Sequence, residues 1–511
     1  MLAKTESVAL IGTEARLIEV EVHVPGTGLP AFRIVGLPNK SVVEAEQRVR
    51  AALTSSEMRW PPSRITANLA PGELRKEGAH FDLAIALGVL AADKRLPPET
   101  LKGWVTVGEL SLDGAVKPVR GALAAAIACR EHGRRGVICP TANASEVGVV
   151  DDIEVVPVDT FVHCVDFLKG QWTPPPIAMI EDDRSPEAAL DDISDVRGHE
   201  AAKRALEIAA TGGHNLLLNG PPGSGKTMLA QRLPGILPDM SVEEAMEVTR
   251  VYSVAGLLGE RASLIKSRPF RAPHQHVSTA GLIGGGSGLA RPGEISLAHH
   301  GVLFLDEVSL FKRDVLDSLR APLEDGVIRL ARSGGVVAYP ARFSLIAATN
   351  PCPCGFARDK KRACTCSPIQ RMAHKAKMSG PLMDRIDIQI QMPRLDREQL
   401  MGSPEGERSV DVRKRVVKVR LIQAERYGSA TKTNASVSRP ELDAAIDLTP
   451  TATHAIADAI DRLLLTGRGM TRTLRLARTL ADLDDVARVK SDHVVRALSL
   501  RLLSSEEDDD E

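Results

Sequence analysis

Aromatic side chains are scarce: Phe, Trp and Tyr together make up 3% of the chain, which argues against gripping single-stranded nucleic acid by stacking successive bases. A grip on the phosphate backbone stays open. There is no surplus of one charge either, because 65 Lys and Arg face 66 Asp and Glu. A polyanion must then be met by local basic patches and not by a basic surface as a whole. No apolar run approaches the roughly 18 residues that a membrane-spanning helix needs. The opening Met1-Leu2-Ala3-Lys4-Thr5-Glu6 lacks the charged-then-apolar form of a signal peptide, so a cytoplasmic location is expected. Internal repeats are also absent.

What is present begins with Gly220-Pro221-Pro222-Gly223-Ser224-Gly225-Lys226-Thr227, a complete phosphate-binding loop between an apolar run (215–219) and a helix-like stretch (228–233). Its glycines let successive N–H groups face an anion. Lys226 is placed to reach the β- and γ-phosphates of ATP, and the Thr227 hydroxyl to hold Mg²⁺. A second run, Gly301-Val302-Leu303-Phe304-Leu305-Asp306-Glu307, is an apolar strand ending in two carboxylates. Asp306 would complete the Mg²⁺ shell through water, and Glu307 would polarise the attacking water. The plain alternative is a parallel strand with a solvated acidic end. A third strand (343–350) ends at Asn350, which can orient the lytic water as the sensor-1 residue of AAA+ ATPases does.

At 511 residues the chain is long enough for two to four domains. Residues 1–170 carry β-like alternation early, then an apolar helix over 81–90 and a strand and turn at 108–114. Gln171-Trp172-Thr173-Pro174-Pro175-Pro176 opens a linker through 190, stiffened by its prolines. The nucleotide module follows over 191–395, then a helical segment over 396–503 and an acidic tail at 504–511.

Four cysteines lie close together as Cys352-Pro353-Cys354 and Cys364-Thr365-Cys366. In a reducing compartment they read as a tetrahedral structural Zn²⁺ site, with bare thiols as the alternative. Cys129, Cys139 and Cys164 read as small core residues. Around the quartet Arg358, Lys360, Lys361, Arg362, Arg371, Lys375 and Lys377 face one acid, Asp359. That island suits either a phosphate contact or a merely solvated loop. Residues 327–339 read as a β-hairpin about Ser333-Gly334-Gly335, with Arg329 and Arg332 on or near its tip. His274 and His276 read as polar loop residues.

Taken together, Gly198-His199-Glu200, Gly213-His214-Asn215, the run 292–299, Asn350-Pro351-Cys352-Pro353-Cys354-Gly355 and the run 380–387 resemble the magnesium-chelatase-like AAA+ ATPases of the competence type, the ComM/YifB family. The resemblance covers nearly the whole chain. It implies an α/β protein: an N-terminal α+β domain like ribosomal protein S5 and the Lon protease domain, a central AAA+ P-loop domain and a C-terminal helical lid. It further implies a homohexamer with ATP at subunit interfaces, acting on DNA as a helicase that drives branch migration in recombination or natural transformation. By the same resemblance Arg385 is the arginine finger, and Arg468 is sensor 2, with Arg472 its rival. Lon-type proteolysis needs a Ser–Lys pair, but 77–82 offers no serine and 118–123 no lysine. Two other readings stay open: a chelatase-like motor that remodels a protein complex, and a binding module whose nucleotide only sets assembly.

Overall fold

A computed structural model of the chain describes residues 1–25, 29–177, 191–258, 264–286, 290–332, 335–357, 359, 361–378, 380–401 and 406–501. Most of the expected linker and the whole acidic tail lie outside these residues.

The N-terminal block is a seven-stranded mixed sheet in the order Ala31–Val35, Arg64–Ala70, Glu14–His23, Leu2–Ile11, Trp104–Thr106, Gly136–Pro140, Glu154–Val158. In Glu14–His23 the alternation buries Ile18, Val20 and Val22 on one face, as a half-covered strand requires. The helix Asp82–Ala92 packs on that face and is buried along its whole length, which is why its sequence shows no polar side. Asp82 itself is buried against Arg48 at 2.6 Å. Burial pushes its carboxyl up to about 6 although Arg48 opposes the shift. Cys129, Cys139 and Cys164 are buried, as expected.

The second sheet has five parallel strands in the order Phe270–Arg271, Val302–Leu305, Ser344–Thr349, Leu216–Asn219, Ile388–Gln391. Its central strands are mostly apolar and buried, with polar residues only at their ends, Ser344, Thr349 and Asn219. Leu218 lies opposite Ala348, and Leu305 opposite Ala347, so the three motif-bearing strands end side by side. Ligands of such sheets bind outside the carboxyl ends of the strands.

The C-terminal residues are helical, chiefly Ser409–Tyr427, Pro450–Leu463, Gly467–Leu483 and Ser491–Ser499. Leu474, Ala477, Leu480 and Ala481 give Gly467–Leu483 a buried stripe, and this helix packs on Glu200–Gly212 beside the parallel sheet. His214 ties the two together, with Nε2 on Thr479 Oγ1 at 2.8 Å and Nδ1 on Asp387 Oδ2 at 3.3 Å.

The expected hairpin forms from Val327–Arg332 and Gly335–Pro340. Its register corrects one expectation: Arg329 lies opposite Ala338, well down the arm, and pairs with Asp325 at 3.2 Å. Arg332 is opposite Gly335 at the turn, with its side chain outside the described residues.

Candidate nucleotide-binding and hydrolysis site

The strand Leu216–Asn219 feeds directly into the loop at Gly220, whose N–H donates to the Thr349 carbonyl at 3.2 Å. The loop turns at Gly223 and Gly225, both left-handed at φ 76° and 86°, where a side chain would be strained. Lys226 Nζ donates to the carbonyls of Gly220 (2.7 Å) and Pro221 (3.0 Å) and to Asn350 Oδ1 (3.2 Å). Burial lowers its pKa, while the carboxylates of Asp306 and Glu307 hold the charge.

Thr227 Oγ1 donates to Asp306 Oδ2 at 2.8 Å. The pair suits an Mg²⁺ ion that the Thr227 hydroxyl would hold directly and Asp306 through a bound water. Glu307 follows the strand in the left-handed region (φ 49°), an uncommon conformation for a residue with a Cβ. Asn350 Nδ2 donates to its Oε1 at 3.4 Å. Thus Lys226, Thr227, Asp306, Glu307 and Asn350 meet at one end of the sheet, with a cation, two carboxylates and an amide converging on the loop.

Arg385 and Arg468 do not join them. Because Ile388–Gln391 runs parallel to Leu216–Asn219, the residues just before it lie at the amino end of the sheet. There Arg385 pairs with Glu324 at 2.5 Å. Arg472 is bound to the buried Asp387 at 3.7 Å. Burial would raise the Asp387 carboxyl, but the His214 bond and the Arg472 and Arg501 charges hold it below its ordinary range. Arg468, one turn before Arg472, is exposed and has no ion pair among the described residues.

The cysteine quartet follows Asn350. Its sulfurs approach at 3.3 Å (Cys352–Cys354), 3.6 Å (Cys354–Cys364) and 3.7 Å (Cys352–Cys364), and all four lie within 4.8 Å of one another. Tetrahedral zinc with bonds near 2.3 Å sets sulfurs about 3.8 Å apart, so the donor set fits. Backbone N–H groups of Cys354 and Ala357 donate to the sulfurs of Cys366 and Cys352 at 3.3 and 3.2 Å, support that thiolates favour. The N–H groups of Phe356 and Thr365 lower the Cys354 thiol, whereas burial and the neighbouring sulfurs raise those of Cys364 and Cys366. Gly355 seats this knuckle against the phosphate loop: a Cβ there would stand 2.5 Å from Pro222 Cδ. Lys361, Arg362, Arg371, Lys375 and Lys377 are exposed around it, whereas Arg358 and Lys360 lie outside the described residues.

A further cluster, Glu247 with His299 and His300, has metal-ligand composition but carries its protons wrongly for a metal. His299 Nδ1 accepts the Arg342 N–H at 3.1 Å, so Nε2 must hold the proton that it donates to Glu247 at 2.8 Å. Glu247 Oε2 thus lies 2.8 Å from the Nε2 atoms of both His299 and His300, shortly before the strand Val302–Leu305. Sequence reasoning also missed His374, whose Nε2 lies 2.9 Å from the Asn350 carbonyl oxygen. No spacing rule points to it.

A parallel sheet in this strand order, with the phosphate loop, paired carboxylates and a polar strand tip at adjacent carboxyl ends, defines a P-loop ATPase of the AAA+ class. Comparison with known families agrees. Residues 192–400 match the family described as magnesium chelatase, subunit ChlI; residues 20–143 match subunit ChlI of Mg-chelatase; and residues 406–501 match its C-terminal family. The chain is 45% identical over 501 residues to an uncharacterized protein of Mycobacterium tuberculosis, covering 98% of each. It is 42% identical to competence protein ComM of Haemophilus influenzae, covering 98% of each, and 40% identical to uncharacterized protein YifB of Escherichia coli, covering 97% of this chain and 96% of that one. The chain therefore belongs to the ComM/YifB-type magnesium-chelatase-like AAA+ proteins. Membership supports ATPase activity and suggests ATP with Mg²⁺. No described helix is long and apolar enough to cross a membrane.

Proposed function

We propose that this protein is an ATP-driven DNA translocase, a helicase that moves branched or single-stranded DNA from within a homohexameric ring. The observation that carries the hydrolytic part is the convergence of Lys226, Thr227, Asp306, Glu307 and Asn350. In this reading Lys226 holds the β- and γ-phosphates, Thr227 and Asp306 flank Mg²⁺, and Glu307 takes a proton from the attacking water while Asn350 orients it. Arg385 stands at the opposite end of its own sheet, which suits a finger that reaches a neighbour's phosphate. Arg468 serves the same interface as sensor 2. The four cysteines hold a structural Zn²⁺.

The DNA part rests on a different kind of support. A relative 42% identical over the full length is a competence protein, and competence is the capacity to take up DNA. The exposed cations of the knuckle offer phosphate contacts, and Arg329 and Arg332 of the hairpin complete the grip. The N-terminal block serves as a non-proteolytic S5-like domain and the C-terminal helices as a lid. A second reading, a remodelling motor acting on a protein complex, is favoured by the fact that all three matching families are described by a magnesium-chelatase subunit. Measuring ATP turnover with and without forked DNA separates them: stimulation supports the translocase, and indifference to DNA with steady turnover supports the remodelling motor.

A further inference from the structure

His374 is the buried side chain of the helix Pro368–Lys377, while Ile369 and Met372 of the same helix stand 79% and 72% exposed. A helix that leaves its apolar residues in water and buries an imidazole is not docked by hydrophobic packing alone. One polar tie is the contact of His374 Nε2 with the Asn350 carbonyl oxygen at 2.9 Å, a carbonyl that also accepts the Thr349 hydroxyl at 3.1 Å. A carbonyl can only accept, so Nε2 carries the proton and donates it.

Asn350 is where this tie matters. Its side chain touches Lys226 at 3.2 Å and Glu307 at 3.4 Å. Between the helix and Glu307 lies a cavity of about 320 Å³, lined by Glu307, Asn350, Cys352, Gln370, His374 and Lys377. That space is large enough for several waters at about 30 Å³ each, so Asn350 faces a cavity on that side. The helix itself starts directly after Cys366, capped by Ser367, so the folded cysteine knuckle sets where His374 arrives.

We infer that His374 is a positioning residue for ATP hydrolysis. By holding the Asn350 backbone, it fixes where the Asn350 amide meets Glu307 and Lys226. This rests on the assignment of ATP turnover to that cluster. The hydrogen bond of His374 goes to the Asn350 backbone and not to the nucleotide loop, so its loss should be felt in the rate and not in nucleotide binding.

The test uses the full-length protein with two substitutions, His374→Leu, which fills the space without a donor, and His374→Gln, whose amide can donate to the same carbonyl. For His374→Leu we expect kcat to fall about tenfold, the scale of one lost positioning hydrogen bond. KM, equilibrium ATP affinity and melting temperature should stay near wild type, and His374→Gln should recover most of the rate. Wild-type turnover in His374→Leu would overturn the inference. So would a joint fall of rate, affinity and melting temperature in both variants, which is the signature of a role in folding alone. A wild-type protein that hydrolyses no ATP would instead remove the underlying assignment.

Discussion

Replacing Glu307 by Gln is the sharpest perturbation of the hydrolytic site. The swap keeps volume and shape, makes the same demand on the left-handed backbone (φ 49°), and leaves an Oε1 to accept the Asn350 amide now 3.4 Å away. Lys226 bonds the loop carbonyls and Asn350, none of which is touched. What disappears is one negative charge and one proton acceptor. Loss of a positioned general base costs about 10²–10⁴ in rate, or about 3–5 kcal/mol of barrier. With less negative charge near the triphosphate, ATP affinity should hold or tighten, so the loss falls on kcat. Steady-state turnover beside equilibrium binding of labelled ATP reads both quantities. A Glu307→Gln protein whose kcat stays within about threefold of wild type would remove this carboxylate from the chemistry.

Metal analysis of reduced protein prepared without chelator should find close to one zinc per chain, lost when Cys352 and Cys354 become serine; a metal-free wild type would leave the quartet as thiols. Arg385→Ala should bind ATP nearly normally yet hydrolyse it poorly, and mixing it with Lys226→Ala subunits should restore turnover at interfaces that pair an intact loop with an intact finger. Absence of rescue in rings shown to be mixed would count against action across the interface. Replacing Arg329, Lys361 and Arg362 by Ala should weaken DNA binding, flatten its salt dependence and cut DNA-stimulated turnover while sparing basal ATPase. Unchanged affinity at every salt concentration would place the DNA contacts elsewhere.

The convergence of Lys226, Thr227, Asp306, Glu307 and Asn350 was legible because each of its parts is a short contiguous signal: a glycine loop after an apolar strand, two carboxylates at a strand end, and an amide at another. Parallel pairing then does the assembling, since strands in register end together. The cysteine quartet was legible for the same reason, as two close pairs in one loop. The hairpin arms could be read, but Arg329 was misplaced toward the tip because the pairing of Val327 with Pro340 sets the register and leaves few residues in the turn. His374 was invisible: its partner is a backbone carbonyl, which no side-chain pattern records. Arg472 could be named as the rival of Arg468, but not its pairing with Asp387, a residue far away in the chain that only the packed helix brings near.

The central claim is that ATP hydrolysis at this site drives movement on DNA. The direct measurement is branch migration or strand displacement on a forked or three-strand substrate, run with ATP turnover on the same samples. The account predicts DNA-stimulated hydrolysis and strand movement in the wild type, both abolished in Lys226→Ala. A wild-type protein that hydrolyses ATP steadily, ignores DNA and moves no strand would contradict it.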